Sequence, residues 1–535
     1  MNRLAIITIV SFSWSLMMMM PACNKGNSEP EERPREDDSI EDSLNTLPDG
    51  SPSTTINIDG NIKYQTIDNF SASDCWAGQF IGKWPASKTD PMADWLFSMD
   101  TTLNGQPLGI GLSAWRFNIG AGSAEQGSES GINDSWRRNE CFIDANGNYN
   151  WNKQQGQQNL LLAASNRGVE KFIGFANSPP VHFTRNGKAF GDQSELENIS
   201  SEMFPDYADF LVNVVQGIEA RTGIELTYLS PVNESQWEWT SGSQEGCYYT
   251  NSHFLDLLEV LTDKVTQANL NTKVLITEAG EWSYLYGKGN TTGNQIELFF
   301  GAESPISQAP SLASIIAGHS YYSTTPNATL VGHRKNVWNK ASTISNLKVW
   351  STEYCPLGSG DLQELGWSSW HKDLGMHVAL YVAKIIHSDL VYANASAWQW
   401  WLAFSPNNYP DGLIYVSKST SNGTYSDSRL LWTLGNYSRF IRPGAERISA
   451  EYENENLYLS AYIHEESGEC IIVITNPLNE KQAVKLNLSG IDNGLLKPYI
   501  TSDSQNHKLY PMKQLHSNRI FEVPPRSVIT FKLKI

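Results

Sequence analysis

Between residues 67 and 402 the chain alternates short apolar runs of strand length with longer stretches whose apolar positions recur at helical spacing. The strand-like runs are Ile67–Ser73, Gly109–Asn118, Lys171–Asn177, Ile224–Ser230, Lys273–Thr277, Ser314–His319, Leu347–Thr352 and Ser396–Trp401. Amphipathic stretches such as Phe204–Arg221, Asn251–Asn269 and His371–Ser388 fill the intervals and predict helices. Repeated βα units imply a parallel sheet, and eight of them imply a closed (β/α)8 barrel. After residue 443 the texture becomes period two, with strands predicted at Leu457–Ile463, Glu469–Thr475, Ala483–Leu488 and Val528–Ile535. The segment 54–66 is also strand-like. The expected fold is therefore α/β, a TIM barrel with a small side β-sandwich built from the C-terminal region and one N-terminal strand.

The first residues carry no such pattern. Asn2-Arg3 precede an apolar run from Leu4 to Met20, then Met20-Pro21-Ala22-Cys23, which reads as an export signal with a lipid-attachment cysteine. The run is too short and too early for a structural membrane span. From residue 24 to about 53 the chain is rich in Pro, Ser, Glu and Asp, with few bulky apolar residues, so a disordered spacer is expected. The boundaries that follow are a signal at 1–22, a spacer at 23–53, a sandwich strand at 54–66, the barrel at 67–442 and the sandwich at 443–535. These imply an exported protein anchored through Cys23 at the cell surface or outer membrane of a Gram-negative bacterium. A monomer is expected.

Composition narrows the partners. A net charge of −18 argues against nucleic acid and against a polyanionic substrate. The 18 tryptophans suit sugar stacking and large cores alike. Beyond Cys23, cysteines 75, 141, 247, 355 and 470 are odd in number and lack CxxC spacing; buried thiols are expected, with room for one disulfide. No phosphate loop, dinucleotide fingerprint or HExxH appears, so neither cofactor nor metal is expected.

In barrels of this kind the chemistry gathers where strands end and βα loops begin. The fourth run delivers Asn233 and Glu234 into a tryptophan-rich turn, Ser235-Gln236-Trp237-Glu238-Trp239. A carboxyl buried beside indoles holds its proton more tightly, which suits a proton donor, and Trp237 offers a sugar a stacking face. The seventh run ends at Glu353, across the barrel mouth from the fourth. Two carboxyl groups about 5–5.5 Å apart perform double displacement with retention of configuration. Glu278, ending the fifth run, is an equal local match, but its strand adjoins the fourth and places it beside Glu234 instead of opposite. Arg116 on the second run is placed to keep the nucleophile ionised, or to form a structural salt bridge. His319 and Tyr321 on the sixth run are placed to hydrogen-bond Glu353, or to fill the core. Asp74 after the first run and Trp398 on the eighth are expected to line the sugar subsite.

These residues together resemble glycoside hydrolase family 30, and within it the endo-β-1,6-galactanases and their bacterial relatives. The resemblance rests on Trp115-Arg116-Phe117-Asn118-Ile119-Gly120-Ala121-Gly122-Ser123, Asn133-Asp134-Ser135-Trp136-Arg137-Arg138, Asn177-Ser178-Pro179-Pro180, the Ser230–Trp239 segment with Gln244-Glu245-Gly246-Cys247, and the stretch from Leu434 to Gly444. It implies Glu234 as acid/base, Glu353 as nucleophile, Asn233 as ligand of the sugar 2-hydroxyl and Asp74 as a substrate contact. Trp115, Asn177 and His182 join the implied subsite. Two departures stand out: Ser235 follows the acid where proline is usual, and His182 stands where many relatives carry tryptophan. The activity implied is a retaining endo-glycosidase acting on a β-linked, β-1,6-linked galactan. Rival readings are a β-1,6-glucanase, a xylanase, an exo-acting β-glycosidase such as a β-fucosidase, and a non-catalytic glycan-binding lipoprotein.

Overall fold

The structure, a computed structural model, describes residues 42–535. The predicted signal segment and Cys23 lie outside the described residues. The described chain opens with two strands, β1 (Thr46–Leu47) and β2 (Thr54–Thr66). It then winds through eight barrel strands: β3 (Asn69–Ser73), β4 (Ala114–Ile119), β5 (Lys171–Ala176), β6 (Tyr228–Ser230), β7 (Lys273–Ala279), β8 (Leu312–His319), β9 (Lys348–Glu353) and β10 (Ala395–Ser405). Each pairs in parallel with the next, and β10 closes the ring by pairing with both β9 and β3. Both faces of a closed parallel sheet are covered, so most of these strands are buried throughout.

All eight predicted strands are present, with shifted ends. The second begins at Ala114, because residues 109–113 bond to the backbone of Trp95, Leu96 and Phe70 outside the ladder. The fourth is only Tyr228–Ser230, with Pro231, which has no N–H to donate, immediately after it. The helix Phe204–Thr222 buries Phe204, Tyr207, Ala208, Leu211, Val215 and Ile218, an i, i+3, i+4, i+7 face against the barrel. The helix Met376–Tyr392 is buried nearly all round because it lies between β10 on one side and sandwich strands on the other.

Beyond the barrel come β11 (Gly412–Val416) and β12 (Tyr425–Asp427), then the sandwich strands β13 (Glu446–Glu451), β14 (Tyr458–His464), β15 (Glu469–Asn476), β16 (Gln482–Ser489), β17 (Leu495–Ser502), β18 (Tyr510–Pro511), β19 (Leu515–His516), β20 (Ile520–Val523) and β21 (Ser527–Lys534). β2 sits in the middle of this sheet, antiparallel to β13 and parallel to β16. The N-terminal strand therefore joins the sandwich as expected. The expected spacer ends too late: Thr46 and Leu47 pair with Phe521 and Ile520, and Leu44 is buried. A short strand among polar neighbours carries no periodic signal, and its stability comes from the distant strand it pairs with. All five described cysteines are free and buried.

Candidate active site

At the end of β6 the backbone turns sharply. Tyr207 donates to the Pro231 carbonyl at 2.6 Å, and Glu234 takes a left-handed conformation with φ 46°. A non-glycine residue there is strained, and the strain is held by neighbours: Glu234 N–H donates to the Glu278 carbonyl at 2.8 Å, and Trp239 Nε1 donates to the Glu234 carbonyl at 3.1 Å. Glu278, on β7, is left-handed as well, with φ 54°. The two bends bring both side chains to His319 at the end of β8.

Three glutamates, one arginine and one histidine meet there. Arg116, fully buried on β4, places Nη1 2.9 Å from Glu353 Oε2 and Nη2 3.4 Å from Glu278 Oε2. Tyr321 donates its hydroxyl to Glu353 Oε1 at 2.9 Å. His319 bridges the other two, with Nδ1 2.8 Å from Glu234 Oε1 and Nε2 3.0 Å from Glu278 Oε2. An oxygen of Glu234 and an oxygen of Glu353 lie within 4.8 Å of one another.

The charges are arranged unequally. Burial pushes the Glu234 carboxyl up, outweighing the hydrogen bond from His319, and Glu353 and Glu278 add repulsion in the same direction. Burial also acts to raise Glu278, but Arg116, His319 and the Thr352 hydroxyl override it and hold this carboxyl down at about 2. Burial would lower His319; the surrounding carboxylates instead hold it up at about 10, an imidazolium donating on both sides. Glu234, His319 and Glu353 each put a donor atom within reach of one small cation, yet an imidazolium with both nitrogens engaged has no lone pair for a metal.

A cavity of about 760 Å³ opens over this cluster. Glu234 and Glu353 line it, as do Asn233, Trp237 and Tyr321. The Oδ1 of Asn233 has no protein partner, an acceptor free for a hydroxyl. Trp76 and Trp401 meet edge to face at 5.2 Å, making an indole corner, and the Arg137 guanidinium sits 4.5 Å over Trp76. Trp237 packs edge-on against Tyr322, which is half exposed at the rim. Asp411, from the loop after β10, also lines the cavity; burial pushes it up to about 6, and its Oδ1 is unpaired.

Several expected subsite residues are elsewhere. Trp115 points away from Arg116, since strand neighbours face opposite sides, and packs on Phe97 in the core. Trp398 is likewise core, donating Nε1 to Asp389 at 2.8 Å. His182 lines a separate cavity with Tyr149 and Asn150. Asp74 and Asn177 are buried beneath the site: Asp74 accepts from Asn118 N–H at 2.9 Å and is pushed up to about 7 by burial, while Asn177 donates to Asn118 Oδ1 at 3.0 Å. His319 bonds Glu234 and Glu278 more closely than Glu353, from which it stands 3.7 Å.

Sequence reasoning missed Trp76, Arg137, Trp401, Asp411 and the part played by Glu278. For Trp401 a signal existed only in the fold: the register of β10 against β3 slips between Trp400 and Leu402, a bulge that turns Trp401 into the cavity. For Arg137 the motif around Trp136 was visible, its target was not.

The family model described as O-Glycosyl hydrolase family 30 matches residues 53–415. An endo-β-1,6-galactanase from Hypocrea rufa is 23% identical over 452 residues, covering 82% of this chain and 84% of the relative. A solved structure described as a conserved exported protein from Bacteroides fragilis is 33% identical with a TM-score of 0.82, covering 90% of this chain and 100% of that one. The catalytic domain of xylanase C from Talaromyces cellulolyticus shares the fold at a TM-score of 0.66 and 22% identity, covering 90% and 100% of the two chains.

Proposed function

Because the chain belongs to O-glycosyl hydrolase family 30 and is thus a glycoside hydrolase, we propose that it is a retaining endo-glycosidase that cleaves a β-1,6-linked galactan. The observation that carries the mechanism is the pair Glu234 and Glu353, with oxygens within 4.8 Å in one cavity and different electrostatic settings. That spacing suits double displacement, which needs carboxyl groups about 5–5.5 Å apart, and leaves no room for the intervening water that inversion requires. The choice of linkage and sugar rests on the endo-β-1,6-galactanase relative, which aligns with most of the chain.

In this reading Glu353, held by Arg116 and Tyr321, attacks the anomeric carbon. Its bond to that carbon forms as the bond to the departing sugar oxygen breaks, and Glu234 gives that oxygen its proton. Two cations and three carboxyl groups balance when one carboxyl keeps a proton, and Glu234 is the one pushed up. Since His319 donates to Oε1, Oε2 is left to carry the proton. Once Glu234 is a carboxylate, His319 stabilises it. Water then gives Glu234 a proton and displaces Glu353 with a second inversion, restoring both groups. Asn233 is assigned to a sugar hydroxyl, and the Trp76–Trp401 corner to a sugar face.

Export and anchoring through Cys23 belong to the same proposal, supported by the apolar run Leu4–Met20 and by the similar protein described as exported. The test is hydrolysis of β-1,6-galactan, β-1,6-glucan and xylan, with the anomer first released followed by proton NMR. Oligosaccharides of the β configuration from galactan are expected. Release of the α anomer would refute the mechanism, and activity confined to xylan or glucan would refute the substrate. Cys23→Ala should move the protein from membrane to soluble fractions with activity intact.

A further inference from the structure

Apart from the catalytic cavity and the one beside His182, two adjoining cavities lie at the seam between barrel and sandwich, where the helix Met376–Tyr392 meets β14. One part, about 570 Å³, is lined by His387 and Tyr392 from the helix and by Tyr452 and Tyr458 from the sandwich. An adjoining part, about 770 Å³, shares Glu451 and Tyr452 with it and runs over Thr54, Thr55 and Asn57 of β2 to Asn454. The two make one trough with no residue in common with the catalytic cavity.

His387 is the feature a structural seam does not explain. It is 4% exposed and lines the trough, yet its Nδ1 has no hydrogen-bond partner. Burial pushes its pKa down to about 3, aided by Arg447, so it is a neutral imidazole. A buried neutral nitrogen left unpaired weighs against the fold, and pairing it with a ligand hydroxyl would recover that cost. Its ring is framed by Tyr392 at 5.9 Å and Tyr458 at 5.7 Å, so aromatic surface surrounds the polar nitrogen. Further along, amides and hydroxyls replace rings. Glu451, Glu453 and Glu455 at the rim disfavour an anionic occupant. Lys384, also in the lining, is paired with Glu364 at 3.0 Å, so aromatic faces, neutral donors and acceptors, and an acidic rim together suit a neutral carbohydrate.

We infer that this trough is a second glycan-binding site, which holds a neutral oligosaccharide segment of the polymer remote from the catalytic cavity. For the identity of that polymer the inference rests on the galactan reading. Holding a second segment raises the effective concentration of the chain at the catalytic cleft, so the site affects polymer and not small substrates.

The test uses the full chain with Glu234→Gln, which binds without rapid turnover, and affinity gel electrophoresis through β-1,6-galactan, β-1,6-glucan or xylan. Adding Tyr392→Ala and Tyr458→Ala should weaken retardation at least fivefold. With Glu234 intact, the same two changes should raise KM on the polymer and leave turnover of an aryl glycoside unchanged. If those changes disturb folding, hydrogen exchange on the Glu234→Gln protein, with both tyrosines in place, decides instead: the matching oligosaccharide should protect residues 384–392 and 451–459. Unchanged retardation, or protection confined to the catalytic loops, would overturn the site. The glycan hydrolysed by the unsubstituted enzyme is the one used, so a protein that cuts only xylan refutes the galactan reading while the trough is still tested on xylan.

Discussion

Gly280 follows the last residue of β7 and has no room for a side chain. A Cβ there would lie 2.4 Å from Trp237 Nε1, 2.6 Å from the Gln236 side-chain amide and 2.8 Å from Glu234 Oε1. Ordinary contacts need about 3.5 Å, so these fall short by roughly 0.7–1.1 Å (3.5 − 2.8 and 3.5 − 2.4). Two of the three neighbours cannot swing freely. Glu234 is pinned by His319, and Trp237 is packed between Tyr284 and Tyr322. Gly280→Ala should therefore displace the acid by a sizeable fraction of an ångström. A shift of that order costs about 10²-fold in a reaction that depends on aligned groups. Overpacking adds a stability cost of about 1–3 kcal/mol, only a few degrees in Tm for so large a domain. The assay compares kcat on polymer and on an aryl glycoside whose leaving group needs little protonation, alongside thermal melts. The expected result is a loss of about 10²-fold on polymer, with the first glycosylation of the aryl substrate far less affected. Polymer turnover within twofold of the parent would refute the steric argument. Equal loss on both substrates with a collapse in Tm would refute the assignment of the displaced group as the acid.

Glu353→Ala should abolish turnover by orders of magnitude, with azide restoring cleavage of an aryl glycoside to give an inverted glycosyl azide; a retained azide would exchange the roles of Glu353 and Glu234. Glu234→Gln should stop polymer hydrolysis but leave a burst of aryl release followed by slow turnover. The alkaline limb of the pH profile, where the raised Glu234 loses its proton, should vanish from that burst; a surviving limb belongs to another group. His319 is held at about 10 against an ordinary 6.5, so its charge contributes stability that is present in full below pH 6.5 and is lost as pH rises through 10. Melts across that window should show the loss in the parent and a flatter profile in His319→Gln; parallel profiles would mean the imidazole is neutral.

The alternation of strand-length and helical patterns, with turn residues between, determined the barrel and the sandwich, because both periods are properties of the backbone and survive without knowledge of neighbours. It also determined that Glu234 and Glu353 end the fourth and seventh barrel strands, and that Arg116 ends near them. Trp115 could have been excluded by the same rule, since it adjoins Arg116 on one strand and must face away. Other features came only from tertiary contacts. The bulge in β10 that brings Trp401 to the cavity depends on its pairing with β3. The strand Thr46–Leu47 forms because Ile520 and Phe521 lie beside it. In sequence Glu278 and Glu353 end their strands alike, and what separates them is position: both contact Arg116, but Glu278 is also bonded by His319 and Thr352 beneath the site, whereas Glu353 faces the cavity beside Tyr321. Charge state follows the same rule, because desolvation and pairing act through neighbours brought together from strands dozens to hundreds of residues apart, and only the closed barrel brings them within 4 Å.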